Sequence, residues 1–205
     1  MNTPARTAPP TRGPSDHDVR SQIVAAATEY FARYGYEKTT VSDLAKEIGF
    51  SKAYIYKFFE SKQAIGEVIC TNRLDDMRRA VDAAIADATG APDRFRRMFR
   101  AFVDAGTQLF FGDRKLYDIA ATAALEPWPS VRAYERYVEE LVVRIVREGR
   151  ESGEFERKTP LDETANAICL VMKPYISPLL LQYNLDGAQD ATVHLSNLVL
   201  RSLAP

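Results

Sequence analysis

Residues 39–62 read TTVSDLAKEIGFSKAYIYKFFESK. The Thr40 hydroxyl is placed to cap a helix. Val41, Leu44, Ala45 and Ile48 follow at steps of three and four, the period of a helix with one buried face. Gly49 then stops that helix and suits a turn that needs positive φ. A second short helix starts after Ser51. Ala45 is small enough to let this second helix cross the first closely. Leu44, Ile48, Ile55 and Phe58 fall where side chains point between the two helices and into the helix before them, and Phe59 also faces inward. The spacing therefore meets the steric needs of a helix-turn-helix.

Removing the inward residues leaves Ser51, Lys52, Ala53, Tyr54, Tyr56 and Lys57 on the outer face of the second helix. Such a face can enter a DNA major groove and meet base edges and phosphates together. A tyrosine ring packs against a thymine methyl or a sugar, and its hydroxyl bonds a phosphate oxygen. Lys52, Lys57 and Lys62 add charge that displaces counterions on binding. A short basic, aromatic helix on its own is more often an ordinary packed surface helix; Ala45, Gly49 and Ile55 in register after a preceding helix favour DNA binding.

Reading outward, Val19, Ile23, Ala26, Ala27, Tyr30, Phe31 and Tyr34 make one amphipathic helix ended by Gly35. Residues 1–17, rich in Pro, Thr and Ala, read as a disordered arm with two arginines, followed by a DNA-binding unit over 18–64 and a helical body over 65–205. In the body, helical patterns cover about 61–88, 92–111, 114–125, 129–152, 160–183 and 187–203. No alternating strand pattern or internal repeat is present, so the expected fold is all-α with nine helices.

The net charge of −1 excludes a uniformly basic nucleic-acid binder. Residues 1–65 carry nine Lys/Arg against seven Asp/Glu, and the remainder eighteen against twenty-one, which suits a DNA-contacting front on an acidic body. The longest apolar stretch, AICLVMKPYISPLLL at 167–181, is broken by Lys173 and two prolines, so no membrane span is expected. The N-terminus lacks the apolar core of a secretory signal, and Cys70 and Cys169 are isolated, which points to a reducing cytoplasm. The two histidines, His17 and His194, lie apart. No catalytic constellation, metal-ligand cluster or cofactor loop is visible, so neither an enzyme nor a cofactor is expected.

Residues 39–69 resemble the DNA-binding segment of the TetR family of bacterial transcriptional regulators. Thr40, Ala45, Gly49, Ser51, Tyr56, Phe59 and Lys62 carry the match, after a helix ending in FARYGYEKTT. The resemblance implies a homodimer on a palindromic operator, with a C-terminal ligand pocket whose occupancy releases DNA. By position it assigns backbone contacts to Thr40 and Tyr56 and a phosphate anchor to Lys62. Lys52, Ala53, Tyr54 and Lys57 are placed at base edges, with Ser51 opening the helix. Ala53, Tyr54 and Phe58 stand where the family more often has glycine, threonine and histidine, which leaves the operator sequence open.

The body offers Phe99 and Phe102 on the helix at 92–111, Tyr117 on the next and Trp128 in the turn after it, joined by Tyr134, Met172 and Tyr175. Taken singly each reads as core; together they outline an apolar cavity for an aromatic or lipophilic molecule. Lys173 either snorkels to the surface or faces that cavity. Pro174 and Pro178 interrupt the helical pattern, each favouring a kink. Residues 160–203 are too apolar for a monomer's surface and suit a four-helix bundle across a twofold axis. Activation, or response to a protein partner, is the alternative reading on the same fold.

Overall fold

A computed structural model describes residues 15–205, and residues 1–14 of the expected arm lie outside it. Ten α-helices form its framework: α1 (Asp16–Tyr34), α2 (Val41–Ile48), α3 (Lys52–Ile55), α4 (Lys62–Ile85), α5 (Ala91–Gly112), α6 (Arg114–Leu125), α7 (Pro129–Ser152), α8 (Leu161–Ile176), α9 (Pro178–Leu181) and α10 (Ala188–Ser202). A single 3₁₀ turn at Leu185–Gly187 precedes α10. The described residues contain no strand.

Two expectations need correction. The first helix begins at Asp16, so Asp16 and His17 belong to it and not to the arm. Ser15 caps it: the Asp18 amide donates to the Ser15 hydroxyl, and the Ser15 amide donates back to the Asp18 carboxylate at 3.0 Å. Second, the stretch 160–183 is two helices, which makes ten in place of nine. Pro178 has no N–H and forces Ser177 out of the helical region (φ −78°, ψ 126°), so the chain breaks there and restarts with Pro178 in the first turn of α9. Pro174, by contrast, remains inside α8.

Helices α1–α3 make up the three-helix unit expected to bind DNA, and α4 runs from it into the body, where it packs on α5 and α7. α5 is the body's central helix, lined with Phe95, Met98, Phe99, Phe102 and Val103 and packed also on α10. α7 ends at Gly153 in the left-handed region (φ 80°), where the reversal turns Phe155 back over Gly149. A Cβ at position 149 would lie 2.2 Å from Phe155 Cδ2 and 2.8 Å from Ala91 Cβ. Below this reversal, the Arg150 guanidinium reaches Thr164 Oγ1 at 3.1 Å and Glu156 Oε1 at 3.4 Å, and the Glu156 amide donates to the Leu203 carbonyl at 2.8 Å. The end of α7, the start of α8 and the end of α10 are thus tied together.

Gly149→Ala tests this packing. Helix propensity favours alanine by about 1 kcal/mol, but Phe155 has to leave its site to admit the methyl group. A net loss of about 1–2 kcal/mol is expected, seen as a lower urea midpoint with unchanged slope.

Candidate nucleic-acid interface

The interface is built from three caps. Thr40 opens α2: the Asp43 amide donates to the Thr40 hydroxyl at 3.2 Å, while the Thr40 hydroxyl and amide donate to Asp43 Oδ2 at 2.7 and 2.8 Å. These bonds, the hydroxyl's first, hold the Asp43 carboxyl below the usual aspartate range. Gly49 closes the helix in the left-handed region (φ 78°, ψ 22°), and the Phe50 amide returns to the Ala45 carbonyl at 2.9 Å. Ser51 then opens α3 by accepting from the Tyr54 amide at 3.0 Å. α3 is one regular turn, after which the Phe58 and Phe59 amides both bond the Ile55 carbonyl. The segment tightens because Ser61, extended at φ −156°, must already cap α4.

Ile55 is fully buried and Phe59 nearly so, which fixes α3 by its inner side. On the outer side Ser51, Lys52, Ala53, Tyr56 and Lys57 are exposed, and Tyr54 is half-buried. Each lysine stands near a tyrosine: Lys52 Nζ lies 5.8 Å from the Tyr56 ring centre, and Lys57 Nζ 5.6 Å from that of Tyr54. Tyr54 also packs edge to face on Phe50 and Phe58, with ring centres 5.0 and 5.3 Å away. Lys62 is different. It is half-buried, donates to the Tyr36 carbonyl at 3.0 Å and sits 4.1 Å over the Tyr36 ring. Its ammonium is already engaged inside the protein.

The sequence reading missed Arg20. Its guanidinium, on the first turns of α1, donates to the Phe58 carbonyl and lies 4.3 Å over the Phe59 ring, so α1 closes the end of the recognition segment. Thirty-eight residues separate Arg20 from Phe58, and no local pattern announces the contact.

Comparison with known proteins agrees with this geometry. The profile of bacterial regulatory proteins of the tetR family matches residues 23–68, and the tetracyclin repressor-like C-terminal domain matches residues 91–194. The chain belongs to the TetR family.

It is a DNA-binding transcriptional regulator and not an enzyme. Among relatives of this TetR-family protein, the HTH-type transcriptional repressor DhaR of Mycobacterium sp. (strain GP1) is 27% identical over 156 residues, 72% of this chain and 75% of that protein. A Rhodococcus sp. RHA1 protein of unknown function shares the fold with TM-score 0.70 at 22% identity, over 96% of this chain and 99% of the other. FadR of Bacillus subtilis, solved with stearoyl-CoA, shares it with TM-score 0.61 at 21% identity, over 90% and 97%. Burial pushes the Cys70 and Cys169 thiols up to about 11, so neither is a ready nucleophile. Among the described residues, no His, Cys, Asp and Glu cluster is arranged to hold a metal, and no helix is long and apolar enough to cross a membrane.

The residues expected to line an effector cavity fall in three places. Phe102 meets Tyr134 (5.9 Å between ring centres) and Phe99 meets Tyr175 (6.4 Å), which joins α5 to α7 and α8. Met172 is fully buried on α8. Tyr117 packs on Phe110 and donates to the Pro178 carbonyl at the α8–α9 break. Trp128 lies apart from both, with its ring 5.6 Å from that of Tyr36 and against Gly66, at the junction of the DNA-binding unit and the body. Lys173 is exposed, so of its two readings the structure shows the surface one. Two open grooves, of about 670 Å³ between α1 and α4 and about 430 Å³ between α8 and α10, are lined by none of these eight residues.

Because the folded Asp43 carboxyl titrates below its ordinary value, its stabilising bonds are complete above that value and are lost as pH falls through the depressed one. The difference in urea midpoint between wild type and Asp43→Asn is therefore expected to be full near about pH 5 and to close toward about pH 2. A pH-independent difference would mean that the Thr40 cap is not what holds the carboxylate.

Proposed function

We propose that this regulator is a repressor that binds a palindromic operator as a homodimer and is released by a small lipophilic or aromatic molecule. The observation that carries the operator reading is the Lys52–Lys57 face, exposed on a turn of helix whose inner side is locked by Ile55 and Phe59. Such a face enters a major groove without first having to be ordered. Tyr56, 45% exposed, stands at its flank for a phosphate oxygen. The Thr40 and Ser51 hydroxyls sit at helix starts beside it, where a backbone phosphate also meets free amides.

The dimer reading rests on an exposed apolar stripe. Leu170 on α8 and Leu198 on α10 are each 61% exposed, and Leu198 lines a groove between the two helices with Ala167, Ile168, Val171 and Val199. An apolar strip of this kind on two adjacent helices is the half of a bundle that a second copy completes. Repression is supported by the name of the DhaR relative. Release by a lipophilic molecule is supported by the stearoyl-CoA in the FadR structure and by the aromatic cluster packed between α5, α7 and α8. There the buried Tyr134 hydroxyl has the Met77 thioether, a weak acceptor, at 2.7 Å. A ligand with a carbonyl or hydroxyl offers it a better partner.

Fluorescence anisotropy against DNA flanking the coding region, beside a scrambled duplex at two salt concentrations, tests the whole reading. Two protomers per site and a preference of about a thousandfold or more are expected, with the complex dissociated by members of an aromatic and long-chain acyl compound set. Equal affinity for both duplexes after refolding from denaturant, which strips co-purified ligand, would refute it for that site. The position of the operator relative to the promoter separates repression from activation.

Two variants resolve the roles of single side chains. Tyr56→Phe should weaken binding by about two- to tenfold per half-site, the worth of one hydrogen bond, with the dimer intact by sedimentation. Lys62→Ala distinguishes two roles. If Lys62 turns from the Tyr36 carbonyl to a phosphate, the salt slope falls by about 0.9 for each phosphate no longer neutralised; if it only secures Tyr36, stability falls and the slope does not change.

A further inference from the structure

The recognition segment holds few of the usual instruments of base reading. Arginine or lysine meets guanine, asparagine or glutamine meets adenine, and a carboxylate meets cytosine. Between Ser51 and Phe59 there is no Arg, Asn, Gln, Asp or Glu. The two exposed lysines there, Lys52 and Lys57, can meet a guanine edge or a phosphate. An adenine–thymine pair is left to the apolar part of the outer face: the exposed Ala53 methyl and, next to it, the ring of Tyr54.

Tyr54 is held to an unusual degree for an interface side chain. Phe50 crosses its ring at 80° and Phe58 at 75°, with centres 5.0 and 5.3 Å away, one from the turn before α3 and one from the turn after it. The ring stays half-exposed between them. Its conformational freedom is surrendered on folding, so docking does not have to order it. A ring fixed to this degree discriminates by shape, and the one apolar projection on the major-groove edge of a base pair is the 5-methyl group of thymine.

We propose that Tyr54, fixed by Phe50 and Phe58 and continued by the Ala53 methyl, reads one thymine in each half-site through its 5-methyl group. The assignment rests on the operator-binding reading above. The full-length protein first selects its site from a library of random duplexes. Each thymine of the selected duplex is then replaced by uracil, which removes the methyl group and nothing else. Wild-type protein is expected to lose affinity about fourfold at one position per half-site, the worth of burying one methyl, and about fifteenfold when both are replaced. Tyr54→Phe should retain this penalty, and Tyr54→Ala should bind the thymine and uracil duplexes alike with its salt slope unchanged. A site in which every thymine tolerates uracil overturns the proposal, as does a penalty that persists in Tyr54→Ala. The wild-type scan needs no variant, so a site that ignores uracil overturns the proposal even where Tyr54→Ala fails to fold, and Tyr54→Ser then serves as the second variant. A selection that enriches no site overturns the operator reading itself and the proposal with it, a result distinct from an enriched site that ignores uracil.

Discussion

The indole of Trp128 lies against a glycine because nothing larger fits. A Cβ at position 66 would stand 3.0 Å from the Trp128 ring and 3.0 Å from Tyr36, closer than packed carbons ordinarily sit. Tyr36 belongs to the turn between α1 and α2, Gly66 to the first turns of α4, and Trp128 to the residue before α7. One aromatic contact thus sets the DNA-binding unit against the body. The neighbouring residue reinforces it: Glu67 on α4 accepts from the Ser130 amide at 3.2 Å and so caps α7 from another helix. Lys62, one turn earlier, closes on the Tyr36 carbonyl. α3 itself is a single turn that has no stability of its own, so its exposed groups are held by the burial of Ile55 and Phe59 and by Arg20 at its end.

The recognition helix was readable from the sequence because each of its determinants is local. A capping hydroxyl three residues before its carboxylate partner, a glycine in the left-handed region and a second capping serine all act within a few residues. The pairs Thr40–Asp43 and Ser51–Tyr54 therefore fix where the chain turns before any distant part of it arrives. The Ser15 cap is just as local, and the first helix was still placed three residues too late. Apolar period located its start at Val19, whereas the hydroxyl and two aspartates that begin it carry no apolar signal.

The body was readable as helices and far less so as a site. A period of three and four tells that Phe99, Phe102, Tyr117 and Tyr134 face away from water, and all four are buried, as is Trp128 in the turn before α7. It carries no information on what they face. Trp128 turned out to face Tyr36, ninety-two positions earlier in the chain, and Tyr117 the carbonyl of a proline sixty-one positions later. Arg20 and Lys62 share this origin: each finds a backbone carbonyl at long sequence separation, at 38 and 26 positions. Charge made Lys62 a candidate for phosphate and gave no notice of Arg20, while a carbonyl left unpaired at the end of a turn is an equally good partner for either. The break at Ser177 shows the reverse case. Pro174 and Pro178 look alike in sequence, and only the geometry of their neighbours makes one an interruption and the other a helix start.

Binding at one end of such a molecule reaches the other only through contacts that differ between two arrangements. α6 is the element on which these contacts converge. Lys115 near its start donates to the Arg33 carbonyl in the last turn of α1, and the turn after its end carries Trp128 to Tyr36. Between them Tyr117 is pinned to the Pro178 carbonyl, at the place where α8 gives way to α9. α6 therefore meets the DNA-binding unit at its start and through the turn after its end. Close packing at Gly66 allows no gradual adjustment there: the indole either fits against the bare backbone or leaves it. A ligand changes DNA affinity only by the difference in its own affinity for those two arrangements, and tight binding that is indifferent to the fit at Gly66 would leave the operator occupied.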